Sequence, residues 1–304
     1  MKILITGAAG FIGSHLALSF IKEGHRVCLI SSRQMSSPDP SVSWETINLE
    51  DHNEFDRLKR IMDHTDHCCF LATRKPLSNV SDNLLKRNRL IDELSADAFA
   101  SSNCASGIYV SGLSIFPASI NEDVTEETKP SPMTAYTQSK LTGEKIFQKA
   151  CKLAGKEWKI LRLNAPYGPT MFPDAVIHKF LSRAIAGDDL ILYGDGQRTQ
   201  HFTWIEDCCK AIKILFNKES GIFHFCGPDK VTMKTLAEYC INITGSQSRI
   251  RYEGTDAGES CPDFYLDRLE TDWSRSKRTT LEVGLKLMSE TMRENRISLQ
   301  RLYN

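Results

Sequence analysis

Tyr136 and Lys140 in "AYTQSK" stand four residues apart, at the start of a helical pattern that continues through "LTGEKIFQKA". That spacing puts both side chains on one helical face. A phenol with a pKa near ~10 is a poor acid or base at neutral pH, and a neighbouring ammonium lowers that value. Such a pair can move a proton to or from an alcohol or carbonyl oxygen. Alone it says little, because Tyr-x-x-x-Lys arises by chance about once in every two chains of this size. A second candidate is "YVSGLSIFP" (109–117), where Ser111 and Ser114 flank Gly112 at the end of an apolar run. Side chains alternate across a strand, so an extended segment puts Ser114 on the face of Gly112, with Ser111 and Leu113 opposite. A bulge or a φ > 0 turn at the glycine gives that place to Ser111 instead. Both hydroxyls could equally satisfy backbone groups at a strand end. Ser114 is the expectation adopted.

The setting gives the pair its meaning. "TGAAGFIG" places Gly7, Gly10 and Gly13 directly after the apolar run "KILIT" and at the start of "FIGSHLALSFIKEG", whose apolar residues recur at helical spacing. Strand, tight turn and helix in that order predict a dinucleotide cradle. The glycines permit the turn and close approach to a pyrophosphate, and the helix N-terminus stabilises its charge. Gly7, Ala9, Gly10, Phe11, Ile12 and Gly13 are the expected contacts. At the end of the second strand an acid would hydrogen-bond the adenosine ribose of NAD. Here the chain reads Ser31-Ser32-Arg33, two hydroxyls and a guanidinium that suit a 2′-phosphate. NADP is expected ahead of NAD, the alternative being a surface loop that happens to contain Arg33. An oxidised nicotinamide would add its positive charge to that of Lys140 and lower the Tyr136 pKa further.

These residues need elements to hold them. "RVCLIS" (26–31) reads as the second strand, "CCFLA" (68–72) and "IYVSG" (108–112) as later ones, and "WKILRL" (158–163) as another. Helical patterns separate most of them. Apolar strands alternating with helices predict βαβ units: an α/β fold with a doubly wound, Rossmann-like parallel sheet. Past residue 164, Pro166, Pro169 and Pro173 break the alternation, and "YGDGQ" (193–197) is a turn between two strand-like runs. A smaller C-terminal substrate lobe begins there, while "HFTWIEDCCKAIKILF" and "IFHFCG" (222–227) return to the sheet. The expected division is a discontinuous dinucleotide-binding domain, 1–164 and 197–227, with a substrate lobe of 165–196 and 228–304.

Composition narrows the partners. The 304 residues are 41% hydrophobic and 25% charged, ordinary for a soluble chain with a sizeable core. Lys+Arg and Asp+Glu balance at 38 each, so no global field would hold nucleic acid or an anionic membrane. The most basic run, "SRSKR" (274–278), reads as a solvated face. No basic leader precedes an apolar stretch and no apolar run is long enough to cross a bilayer, which predicts a cytoplasmic location. The ten cysteines include no C-x-x-C pair and no zinc-like spacing with histidine. Reduced, mostly buried thiols and no metal are expected.

Taken together, these stretches resemble the extended short-chain dehydrogenase/reductase family of NAD(P)-dependent nucleotide-sugar epimerases, dehydratases and ketoreductases. The resemblance covers nearly the whole chain. Besides "TGAAGFIG" and "YTQSK" it includes "FLAT" (70–73), Asn88, "RLNAPYGP" (162–169), "YGDGQRTQHFTWIED" (193–207) and "TLEVGL" (280–285). It implies that Tyr136 is the acid–base group on a sugar hydroxyl or ketone and that Lys140 binds the nicotinamide ribose and tunes the tyrosine, while the nicotinamide carries the hydride. It also implies cofactor contacts at Asn48, Leu49, Leu71, Ala72, Thr73 and Asn88, and a homodimer through the helices beginning near Leu84 and Tyr136.

Three departures from that pattern bear on function. The family's Ser or Thr three residues before a "V-Y-G"-like triplet, here "IFP", is replaced by Gly112. The Asp-Glu pair that 4,6-dehydratases use for water elimination is replaced by Leu113-Ser114, which argues against dehydration. In the substrate segments the expected Asn aligns with Ala165, and the expected Arg with Gln200, followed by His201; Arg198 is left to clamp a diphosphate. The expected activity is hydride transfer at a carbonyl or secondary alcohol of a nucleoside-diphosphate sugar, 4-ketoreduction ahead of 4-epimerisation. The alternatives are an NADP-binding scaffold or redox sensor that lost turnover, and a reductase of a non-nucleotide carbonyl.

Overall fold

The computed structural model describes residues 1–37, 39–75, 81–120, 123–256, 258–265 and 267–303. "KILIT" forms β1 (Lys2–Thr6) and "RVCLIS" forms β2 (Arg26–Ser31); both are buried but for their first residue. Then come β3 (Val42–Thr46), β4 (His67–Phe70), β5 (Ser106–Gly112), β6 (Glu157–Leu163), β7 (Pro166–Tyr167), β8 (Leu190–Tyr193), β9 (Thr199–His201), β10 (Thr203–Trp204), β11 (Gly221–Phe225), β12 (Lys230–Thr232) and β13 (Ile250–Glu253). The helices are α1 (Phe11–Lys22), α2 (Phe55–Met62), α3 (Ser81–Ser101), α4 (Ala135–Leu153), α5 (Val176–Ala186), α6 (Ile205–Leu215), α7 (Met233–Thr244), α8 (Asp267–Glu270) and α9 (Leu281–Tyr303).

One seven-stranded sheet runs in the order β11-β6-β5-β4-β1-β2-β3, every neighbouring pair parallel. The order reverses between β1 and β4, and a crevice opens at the carboxyl ends of the strands at such a switch point. Alternate residues of β1 enter opposite faces. Ile3 and Ile5 pack in one cluster with Phe20 and Ile212, and Leu4 packs in another with Leu94, Phe99 and Phe147. The first cluster continues past the sheet to Leu236, Trp273 and Leu285, so the C-terminal helices share its core. Each fully buried Leu or Phe side chain contributes about 1.5–3 kcal/mol.

Two local outcomes differ from the sequence reading. "VSWET" is a strand, β3, although it has no continuous apolar run; it lies at the sheet edge, where its residues stay half-buried or exposed and a polar face is tolerated. β4 stops at Phe70, and the following backbone turns to meet β1: the N–H groups of Leu71 and Ala72 donate to Thr6 Oγ1 at 3.1 and 3.2 Å. Outside the main sheet, β8 pairs with β13 and β9 with β12, so the "YGDGQ" turn joins strands that pair elsewhere. Among the described residues no helix is long and apolar enough to cross a membrane. All ten cysteines are free, and all but Cys261 are buried.

Candidate active site

A cavity of about 780 Å³ lies at the carboxyl ends of the strands, within the usual range for small-molecule sites. Its first wall is the glycine turn. Gly7 has φ +67°, and a Cβ there would stand 2.8 Å from the backbone nitrogen of Ala72, while one on Gly13 would collide with the Gly7 carbonyl. Strand, turn and helix therefore pack too closely for any side chain at those positions. Gly10 caps α1 without a side-chain hydrogen bond, and no acid occupies the first turn. The N–H groups of Phe11, Ile12 and Gly13 have no helical acceptor at that end, and these residues line the cavity. This cradle fits a dinucleotide pyrophosphate.

Beyond the cradle the cavity runs past Ser31, Ser32, Arg33, Asn48, Leu49 and Glu50. Ser31 is buried, and its Oγ accepts from the Arg33 N–H at 3.0 Å, which leaves the Arg33 side chain exposed at the rim. Glu50 is anchored by Arg87 and Arg74 at 2.7 Å each; the hydrogen bond from Arg87, against some burial, holds its carboxyl below the usual range. Leu71, Ala72 and Thr73, expected as cofactor contacts, also line the cavity. Asn88 does not. Its carboxamide is spent on the Arg74 N–H at 2.7 Å, the Arg74 carbonyl at 3.1 Å and Ser139 Oγ at 3.0 Å. It braces the backbone behind the cavity wall.

The end of the cavity that holds Tyr136 and Lys140 is built by α4 and β5. Thr134 and Thr137 cap α4 reciprocally, each hydroxyl accepting the other's N–H, a pairing that fixes the first turn. Tyr136 lies in that turn and Lys140 one turn on; both line the cavity. Lys140 is buried, and its ammonium donates to the Val110 carbonyl at 3.1 Å. Burial pushes the lysine down, opposed by Asp92 and Glu144. Burial pushes the Tyr136 phenol up.

Both serines also reach the cavity, by a route the sequence reading did not contain. β5 stays extended to Gly112 (φ −136°, ψ 144°), without a bulge, and the chain then turns into a single 3₁₀ turn over Leu113–Ile115. That turn brings Ser114 Oγ to 3.3 Å from where a Gly112 Cβ would stand. The Ser114 hydroxyl thus lies beside the position vacated by the missing side chain. Ser111 Oγ is buried with no hydrogen-bond partner, so a strand-end backbone role does not describe it.

The lobe end is lined by Asn164, Ala165, Phe172, Arg198 and Gln200. The carboxamide aligned with Ala165 has a near substitute that the sequence reading missed, Asn164, the preceding residue. Its Oδ1 accepts from Gln200 Nε2 at 2.7 Å, and its Nδ2 is buried without a partner. Ala165 adopts φ +31°, rare for a residue with a side chain. Arg198 lines the cavity with its Nε held by Asp256 Oδ2 at 2.7 Å. His201 does not line it: the next position along β9 faces the other way, its ring 5.9 Å from that of Phe264, and burial pushes it down to about 4. Lys75 is a further missed lining residue, its ammonium 3.8 Å above the Phe172 ring. Burial, with Lys140 nearby, pushes it down to about 8. Among the described residues no group of three or more His, Cys, Asp or Glu could hold a metal.

A parallel sheet reversing at β1/β4, a glycine cradle and a Tyr/Lys couple in one cavity define a Rossmann-type protein of the extended short-chain dehydrogenase/reductase class. Residues 3–224 match the NAD dependent epimerase/dehydratase family, and the chain belongs to that family. It is 28% identical over 283 residues to a Bacillus subtilis protein named an uncharacterized UDP-glucose epimerase, covering 85% of this chain and 87% of that one. A UDP-N-acetyl-alpha-D-glucosaminuronate decarboxylase of Bacillus cytotoxicus is 28% identical over 264 residues, 82% of each chain. Among solved structures, the UDP-glucose 4-epimerase of Thermotoga maritima with UDP-glucose superposes with a TM-score of 0.87 at 20% identity, over 97% of this chain and 99% of that one. A likeness at that identity is one of fold.

Proposed function

We propose that the chain is a nucleoside-diphosphate-sugar 4-epimerase that holds a nicotinamide dinucleotide in this cleft. The carrying observation is that Tyr136, Lys140 and the Ser114 hydroxyl beside Gly112 line the same cavity as the glycine cradle. When bound, the cofactor supplies reversible hydride acceptance at the carbon bearing the reacting hydroxyl. Tyr136 takes the hydroxyl proton and returns it. Lys140 holds the nicotinamide ribose and supplies positive charge beside the phenol. Ser114 hydrogen-bonds the reacting oxygen. No acid stands at Leu113 or Ser114 to expel water, which sets the reaction apart from 4,6-dehydration. Asn164 and Gln200 orient the sugar, Arg198 clamps the diphosphate, and residues 165–196 with 228–304 act as the substrate lobe.

The sequence-based tilt toward reduction rested on Arg33. The relatives, a protein named a UDP-glucose epimerase and a UDP-sugar decarboxylase, move the reading to epimerisation. A second reading, 4-ketoreduction with NADPH, is favoured by the exposed Arg33 at the place where an acid would recognise NAD. Incubation with UDP-glucose or UDP-glucuronic acid and NAD, followed by NMR of the sugar ring protons, tests the first: the C4 epimer should accumulate with no net change in NADH. Stoichiometric loss of NADPH on a 4-keto sugar nucleotide would establish the second. Bound cofactor with neither outcome would mean a scaffold. Light scattering tests the expected homodimer.

A further inference from the structure

Asp92 sits in the interior of α3, where aspartate is a poor helix former, and it is buried. Among the described residues no lysine or arginine forms an ion pair with it. Its Oδ1 accepts the hydroxyl proton of buried Tyr109 at 3.1 Å. The Lys140 ammonium lies 5.3 Å from the centroid of the same tyrosine ring, within cation–π range. α4 leaves room for this arrangement only because residue 143 is glycine: a Cβ on Gly143 would collide with Tyr109 Oη and Asp92 Oδ2. Burial raises the Asp92 carboxyl to about 7, against the charge of Lys140 and the Tyr109 hydrogen bond. A carboxylate in such a place weakens the fold, so stability does not explain it.

We propose that Asp92 is a positioning residue that keeps Lys140 protonated and seated over Tyr109, acting on the reaction through the lysine and never touching substrate. The inference rests on the assignment of Tyr136 and Lys140 above. Desolvation works against the buried ammonium, and an opposite charge nearby restores its charged form; Asp92 is the foremost such charge at Lys140, followed by Glu144. The other ionisable groups around Asp92 are Glu93 on α3 and Tyr109 on β5; Tyr136 and Glu144 on α4 lie near Tyr109. Lys75, pushed down to about 8, lies near Lys140, so the pH titration is also run in a Lys75→Met background. Glu144 is committed to Arg162 by two hydrogen bonds at 3.0 and 2.7 Å, which leaves Asp92 as the uncommitted counter-charge.

Asp92→Asn keeps an acceptor for Tyr109 and removes the charge. Calorimetric titration of the nicotinamide dinucleotide across pH should show near-wild-type affinity at neutral pH. The alkaline midpoint should fall by about one unit, which is about tenfold weaker binding above both midpoints. Measuring it in a Tyr136→Phe background removes the phenol's own titration. The protein without cofactor gives a second readout. With a folded pKa of about 7 against ~3.9 unfolded, the folded state holds a proton that the unfolded state releases between those values. Wild-type stability therefore falls as pH rises through that window. Asp92→Asn should flatten this fall and melt higher than wild type above pH ~7. Tyr109→Phe, which keeps the ring and loses the clamp, should shift the binding midpoint the same way by less, and serves if Asp92→Asn fails to fold. An unmoved binding midpoint overturns the inference. If Tyr136→Phe turns over normally, the assignment of the site fails instead; if that variant is inactive while the midpoint stays, only the role of Asp92 is lost.

Discussion

The two ends of the cleft are made of different material. The cradle end is backbone: Gly7 and Gly13 are pressed against neighbouring main chain, and the first turn of α1 offers N–H groups. The lobe end is side chain: Asn164 meets Gln200 from 36 residues away, and Arg198 meets Asp256 across 58. Backbone geometry survives any change of side chain that leaves the glycines in place. Side-chain pairings between distant segments can be exchanged one partner at a time, and the family resemblance, which expects arginine where Gln200 stands, fits such an exchange. On the proposed reading, a cofactor end built on main chain and a substrate end built on side-chain pairs would let one scaffold keep its redox chemistry while changing what it acts on.

Substitutions should therefore hurt most where a side chain does chemistry and least at the cradle's rim. Tyr136→Phe should lower turnover by ~10²–10⁴-fold while cofactor affinity by calorimetry stays nearly intact; retention of more than about a tenth of the rate would remove Tyr136 from the acid–base role. Ser114→Ala should lower kcat by ~10²-fold, as expected for one oriented donor at the reacting oxygen, and Ser111→Ala by much less. The reverse ranking would hand the role to Ser111. Arg198→Ala should raise KM for the sugar nucleotide by ~10–100-fold, the loss of one hydrogen bond to a charged group, with little change in kcat. A kcat effect larger than the KM effect would place Arg198 at the reacting centre. Arg33→Ala should cost NADPH affinity about tenfold or less, since exposed charge pairs are weak, and leave NADH binding alone. An unchanged preference between the two cofactors would leave the rim with no part in discrimination.

The same contrast explains what could be read from the sequence. The sheet, the glycine turn and the Tyr136/Lys140 helix were legible because each is local: a run of apolar residues, a glycine spacing, a four-residue interval. β3 was not, since an edge strand carries no continuous apolar signal. Asn88 was assigned to the cofactor, but its carboxamide is committed to Arg74 and Ser139, partners that no spacing announces. His201 follows Gln200 directly, yet on a strand adjacent residues face opposite ways, and the tertiary placement of β9 puts Gln200 on the cavity side. Ser114 was chosen by strand alternation and reaches the cavity through a 3₁₀ turn, so the residue was selected by an argument the structure does not use. Asn164 had a signal in plain view, an asparagine one place before the aligned position.

Helix α4 carries several functions on one rigid rod. Its capped first turn holds Tyr136; Lys140 reaches the Val110 carbonyl, Gly143 leaves the gap for Tyr109, and Glu144 grips Arg162. Each residue along a helix advances about 100° around its axis. A one-residue insertion after Thr137 would turn Lys140, Gly143 and Glu144 away from their partners together, while the Thr134–Thr137 cap ahead of it would keep Tyr136 in place. Along this segment a change of side chain disturbs one contact, and a change of length disturbs several at once. A change of length is absorbed more readily in a surface loop than in this helix.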